Sequence, residues 1–186
     1  MKISTTAIPQ VVVVEPDVFG DARGYFLETW HALRYAKAGL DTQFVQDNRS
    51  RSRYGVLRGL HYQLNQPQGK LVSVSHGRVF DVAVDIRRGS PWFGRWVGAE
   101  LSDINHKQLY IPPGFAHGFC VLSEMADFSY KCTEFYAPDD EHGILWNDPD
   151  IAIAWPGGDF QVSEKDAGNK RLKEMGELLP VYRAAR

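Results

Sequence analysis

Cysteine is almost absent from this chain of 186 residues: Cys120 and Cys132 are the only two, and they have no close metal-type spacing. A disulfide framework and a cysteine-built zinc site both lack the residues they need, so a reducing cytoplasm is the expected setting. Long hydrophobic runs are missing too. The N-terminal region offers only the valines at 11–14, far short of a signal-peptide core or a membrane span, and no membrane partner is expected. An excess of positive charge is equally lacking. Lys and Arg number 21 against 23 Asp and Glu, a formal net charge of -2, which gives no general attraction to nucleic acid but leaves room for a local basic pocket around a small anion. Internal repeats, low-complexity tracts and linkers are absent. One domain over residues 1–186 is therefore expected.

Turn formers and aromatics are plentiful: 17 Gly, 10 Pro and 12% aromatic residues. Short apolar stretches at 11–14, 44–45, 56–62, 71–74, 80–86, 96–101, 109–111, 115–122 and 128–136 are punctuated by Gly, Pro, Asn or Asp. That spacing predicts a mainly β sandwich or barrel of antiparallel strands. Phe80, Val82, Val84 and Ile86 alternate with Asp81, Ala83 and Asp85 in a period of two. Two short helices are expected, one over 30–38 closed by Gly39 and one after Ser163, whose hydroxyl suits a helix cap. Residues 183–186 read as a frayed tail.

The densest polar cluster lies in VLRGLHYQ at 56–63, followed by GKLVSVSHG at 69–77. A lone histidine in such surroundings is ordinarily a satisfied core residue. Here Arg58, His61 and Lys70 fall within thirteen residues of strand-like sequence, and buried cationic groups more often line a pocket for an anion. Strand parity objects, because Arg58 and His61 are three apart and face opposite sides of a regular strand. They converge only if the strand bends, and Gly59 between them is the natural place for a bulge or kink. In IPPGFAHGF at 111–119 a Pro-Pro-Gly turn leads into a strand carrying His117, for which a core role and a site role are both open. Two histidines one residue apart with a nearby glutamate, the usual start of a metal site in small β-barrels, do not occur: Tyr62 and Gln63 follow His61. No metal and no cofactor are expected. In FSYKCTEFY at 128–136, Tyr130 shares a strand face with Phe128 and Cys132, either as a packed aromatic or as a phenol that donates a proton. In SEKD at 163–166, Asp166 is either a surface cap or the orienting partner of a histidine.

Taken together, these segments resemble the dTDP-4-dehydrorhamnose 3,5-epimerases, the deoxysugar epimerases of the rhamnose pathway. The likeness runs in order through FGDARGYFLETW (19–30), FVQDNRS (44–50), VLRGLHYQ, GKLVSV, DVAVDIRRGSPWFG (81–94), IPPGFAHGF, YKCTEFY (130–136), WNDPDIAIAWP (146–156) and SEKD, nearly the whole chain. It implies a cupin-type jelly-roll β-barrel, a homodimer with an N-terminal strand exchanged or packed across it, and a short helical C-terminal segment. It also implies a base, His61, oriented by Asp166; an acid, Tyr130; and an enolate stabiliser, Lys70. The positions matching substrate contacts are Phe19, Arg23, Glu28, Gln46, Asn48, Arg58, His117 and Tyr136, with Glu141 and Lys165 matching less tightly. The implied reaction inverts C3 and C5 of a dTDP-4-keto-6-deoxy sugar without metal. A relative inverting only one carbon is the alternative within this class. A nucleotide-sugar sensor on the same barrel is expected to lose the base or the acid, and all four catalytic positions are kept here. The basic run RSRY at 51–54 has no role in this reading.

Overall fold

The computed structural model describes residues 1–183, so the tail expected at 183–186 lies, past Arg183, outside the described residues. Two antiparallel sheets carry the fold. The first holds β1 (Lys2–Thr5), β2 (Val12–Glu15), β5 (Gln46–Arg53), β7 (Lys70–His76), β10 (Gln108–Ile111) and β12 (Met125–Cys132), in the spatial order β1-β2-β10-β7-β12-β5. The second holds β6 (Leu57–Gln63), β8 (Arg78–Asp85), β9 (Trp96–Ser102), β11 (Phe115–Val121) and β13 (Glu141–Gly143), in the order β13-β6-β11-β8-β9. A separate hairpin is made by β3 (Val18–Asp21) and β4 (Gly24–Leu27).

Alternation along the strands builds the core between the sheets. Val72 and Val74 of β7, Val79 and Ala83 of β8, Leu109 and Ile111 of β10, Phe115, Phe119 and Val121 of β11, and Ala126 and Phe128 of β12 form one buried cluster. The opposite faces are buried as well. Val82, Val84 and Ile86 pack with Leu60, Tyr62 and Ala116 against a C-terminal layer of Ile144, Ile151, Leu172, Met175 and Leu179. Consequently β8 has no solvent face: Asp81, Ala83 and Asp85, the more polar half of its alternation, are all 0% exposed. On the other sheet, Tyr35 of helix α1 (Ala32–Lys37) covers Val14 and Leu71.

Both expected helices form, and both are shorter than or equal to one or two turns. Helix α1 ends before Gly39, whose φ of +99° only glycine tolerates easily. Helix α2 (Glu164–Ala167) starts at Ser163, whose Oγ accepts the Asp166 N–H at 3.1 Å.

Candidate active site

The bulge anticipated at Gly59 is present and organises the site. His117 pairs with His61 and Phe119 with Arg58, so two residues of β11 span three of β6. The extra residue restores a common side for Arg58 and His61. Glycine is required there on two counts: φ is +119°, and a Cβ at position 59 would lie 2.7 Å from Gly118 Cα and from the His117 carbonyl oxygen.

Arg58 and His61 open into a cavity of about 620 Å³ lined from both sheets. Eleven of the fourteen expected site residues line it: Gln46, Asn48, Arg58, His61, Lys70, His117, Tyr130, Tyr136, Glu141, Lys165 and Asp166. Phe19, Arg23 and Glu28 do not. Phe19 is 63% exposed on the β3–β4 hairpin, Arg23 pairs with its neighbour Asp21, and Glu28 pairs with Arg34.

His61 Nε2 lies 2.6 Å from Asp166 Oδ1, while Asp166 Oδ2 accepts the Gly59 N–H at 3.1 Å. Each carboxylate oxygen thus has its own partner, and the bulge supplies one of them. Burial works against the ionised Asp166, but the His61 contact, the Gly59 N–H and Ser163 outweigh it and hold the carboxyl below its ordinary range. An ionised Asp166 accepts Nε2–H and leaves Nδ1 as the basic nitrogen of the ring. Tyr130 stands on the opposite sheet. Burial, helped by Cys132 and Glu141, raises its phenol above the ordinary value, so it stays protonated as a donor must. Lys70 carries a cation into the same space; burial lowers its pKa, against the opposing pull of Cys132, Glu141 and Asp81.

A second His–Asp pair sits beside the first. His117 Nε2 is 2.8 Å from Asp81 Oδ2, and Asp81 is fully buried with Oδ1 unpartnered. Burial raises the Asp81 carboxyl, with His117 and Lys70 pulling the other way. Asp81 was not singled out from the sequence, where it stood on the polar side of an alternating strand. The signal was available in its parity with Val79 and Ala83, both core residues. With each imidazole engaged by a carboxylate, and no cluster of three or more His, Cys, Asp or Glu side chains suited to a metal among the described residues, the site carries no built metal cage.

Glutamines fix the rim. Gln46 Oε1 accepts the Tyr136 N–H at 2.9 Å, and Gln63 holds the carbonyl of Phe135 at 3.1 Å and the N–H of Ala137 at 3.1 Å. Tyr136 is thereby placed at the mouth, its hydroxyl 3.3 Å from Glu141, which also pairs with Lys165. Gln63, Gln68 and Gln161 line the cavity and were likewise not singled out from the sequence.

An oriented imidazole on one sheet and, on the other, a neutral phenol and an ammonium lining the same cavity suit proton transfer at a carbon next to a carbonyl. Comparison with known proteins agrees. The family model described as dTDP-4-dehydrorhamnose 3,5-epimerase matches residues 5–174. The dTDP-4-dehydrorhamnose 3,5-epimerase of Pseudomonas aeruginosa is 57% identical over 176 residues, covering 94% of this chain and 97% of its own. That of Methanothermobacter thermautotrophicus is 49% identical over 180 residues, covering 95% of each. A crystal structure of dTDP-6-deoxy-D-glucose-3,5-epimerase from Legionella pneumophila Philadelphia 1, in complex with dTDP-4-keto-L-rhamnose, superposes with a TM-score of 0.96 at 56% identity, covering 98% of this chain and 99% of that one. The chain belongs to the dTDP-4-dehydrorhamnose 3,5-epimerase family.

Proposed function

We propose that this chain converts dTDP-4-dehydro-6-deoxy-D-glucose to dTDP-4-dehydro-L-rhamnose by inverting C3 and C5, in the biosynthesis of dTDP-rhamnose. The observation that carries the reading is the His61–Asp166 pair facing Tyr130 across the cavity. His61 Nδ1 takes the proton from the carbon beside the ketone, the electron pair moves into the carbonyl, and the Lys70 ammonium stabilises the resulting enolate oxygen. Tyr130 returns a proton from the other ring face and recovers its own from solvent, to which His61 gives up the proton it took. Inversion follows because removal and return use opposite sheets. The same sequence serves C3 and C5, since both flank the C4 ketone. Arg58 offers its guanidinium to the diphosphate, with Gln46, Asn48, His117, Glu141 and Lys165 contacting the remainder, and Tyr136 stacking at the base end.

Two packed antiparallel sheets are consistent with a cupin-type jelly roll, and the exposed hairpin is consistent with a homodimer. Val18, Phe19, Tyr25 and Phe26 are 43%, 63%, 57% and 68% exposed on a two-stranded unit that pairs with no other strand among the described residues. Such a patch needs a cover. Within this reading Phe19, Arg23 and Glu28 serve the cavity of the second copy. Two free thiols fit the cytoplasm, and no described helix is long and apolar enough to cross a membrane.

The reading is tested by incubating the protein with dTDP-4-keto-6-deoxyglucose in heavy water and locating deuterium by NMR. Incorporation at both C3 and C5 with formation of the L-sugar is expected. Label at one carbon alone assigns a single-site epimerase instead, and no label at either refutes the proposal.

A further inference from the structure

Strand β5 reads Arg49-Ser50-Arg51-Ser52-Arg53, a strict alternation of guanidinium and hydroxyl on an edge strand. The two faces do different work. Arg49 and Arg51 turn outward and both bind Asp127 of β12. Ser50 turns inward and lines the cavity, and Ser52, 7% exposed, accepts the Arg58 Nε–H at 3.2 Å. Among the described residues that hydroxyl is the only side-chain partner of the Arg58 guanidinium, which forms no ion pair.

A guanidinium presents two useful edges, the pair of terminal nitrogens or the side pair made by Nε and one terminal nitrogen. When Nε–H is committed to Ser52, the side edge is taken. The end edge, with both terminal nitrogens, is what remains for an anion. We infer that Ser52 is a positioning residue that locks Arg58 end-on toward the diphosphate of the ligand, an assignment that rests on the nucleotide-sugar reading above. It gives two residues of the RSRY segment a role: Arg51, with Arg49 before it, anchors the edge strand, and the inward Ser52 hydroxyl aims the phosphate-binding arginine of β6.

Isothermal titration with dTDP and with inorganic pyrophosphate, alongside steady-state kinetics, tests this. Ser52→Ala should weaken dTDP and pyrophosphate by about tenfold, the scale of one hydrogen bond to a charged group, and KM should rise by more than kcat falls. Ser52→Thr keeps the hydroxyl and should recover most of the loss. Ser52→Cys keeps the volume with a weak acceptor and should behave like alanine, which guards against a packing defect in Ser52→Ala. In an Arg58→Lys background, where Nε–H of arginine no longer exists, Ser52→Ala should add little. Unchanged ligand affinity in Ser52→Ala, or an equal loss in the Arg58→Lys background, overturns the assignment. Wild-type protein that binds pyrophosphate but not dTDP defeats the nucleotide reading alone, and the pyrophosphate titrations then judge Ser52. Wild-type protein that binds neither defeats both.

Discussion

His61 and Tyr130 occupy facing sheets, and their protonation states are set by different means. Asp166 fixes the tautomer of His61, whereas burial keeps Tyr130 neutral. The two substitutions should therefore separate. His61→Asn should abolish both inversion and solvent exchange, because no enolate forms. Tyr130→Phe should retain exchange while losing inversion, since His61 can return a solvent-derived proton to the face it came from. A loss of roughly 10²–10⁴-fold in kcat is expected for either role. Parallel measurement of deuterium uptake and product checks this, and near wild-type inversion at C5 by Tyr130→Phe removes it as the acid. Lys70 makes a second prediction. Its ammonium is destabilised by burial, so the charge is lost as pH rises through a value below the ordinary ~10.4. Tyr130 shifts the other way and ionises later. The alkaline limb of kcat should thus belong to Lys70. Lys70→Arg, charged throughout, should keep a reduced activity whose pH profile lacks that limb; an unchanged limb assigns it to another group.

At the scale of elements, legibility in the sequence depended on how each strand is covered. Strands β6, β7, β11 and β12 announce themselves by apolar stretches because each sends several apolar side chains into a buried core. Strand β5 was the least legible: its eight residues, QDNRSRSR, contain no apolar side chain, and only 44–45 marked the place. One face lines a wet cavity and the other meets solvent, so neither demands hydrophobicity. Strand β8 was recognised as a strand, but the burial of Asp81 was not, because its face is covered by the core between the sheets and by His117, 36 positions away in the chain. The convergence of Arg58 with His61 was legible only as a requirement; the bulge that meets it depends on Gly118 of the neighbouring strand as much as on Gly59. Besides backbone pairing, β5 is tied to its sheet by Asp127, by the Lys131–Asp47 ion pair and by the Asn48 amide on Cys132. Arg51 first, then Arg49, hold the Asp127 carboxyl far below the usual range. A depressed carboxyl contributes stability that is present above the unfolded value of about 3.9 and is lost as pH falls toward the folded one. Asp127→Asn should therefore lower Tm at neutral pH, with the difference from wild type narrowing below about pH 4. A difference that stays constant across that range places the stabilisation in packing rather than in the ion pairs.

For the whole molecule, the proposed homodimer turns on the hairpin. The sequence likeness gathered Phe19, Arg23 and Glu28 with the cavity residues, yet in one chain Phe19 and Arg23 stand on an exposed ribbon, Glu28 just after it pairs with Arg34, and none lines the cavity. Propensity and spacing cannot register that separation from the cavity, since it leaves no local period. Only the apolar excess of the hairpin hints at a partner: its tether to the body includes the Tyr25–His106 ring contact at 4.7 Å, while Phe19 and Phe26 stay bare. If the hairpin of each copy completes the cavity of the other, two defective proteins should repair one another. Phe19→Ala with Arg23→Ala leaves its own His61 intact but offers a defective hairpin; His61→Asn offers an intact hairpin but no base. Each alone should be nearly inactive. In a mixed dimer one cavity holds His61 and receives the intact hairpin. Random exchange of equal amounts makes half the dimers mixed with one working site of two, so activity should return to about a quarter of wild type. Refolding the two variants together and separately, then assaying turnover, measures it. Recovery must appear only after subunit exchange and not on simple mixing at low temperature. If co-refolded protein stays as inactive as its parents, the hairpin acts within its own chain or not at all, and Phe19 and Arg23 leave the site.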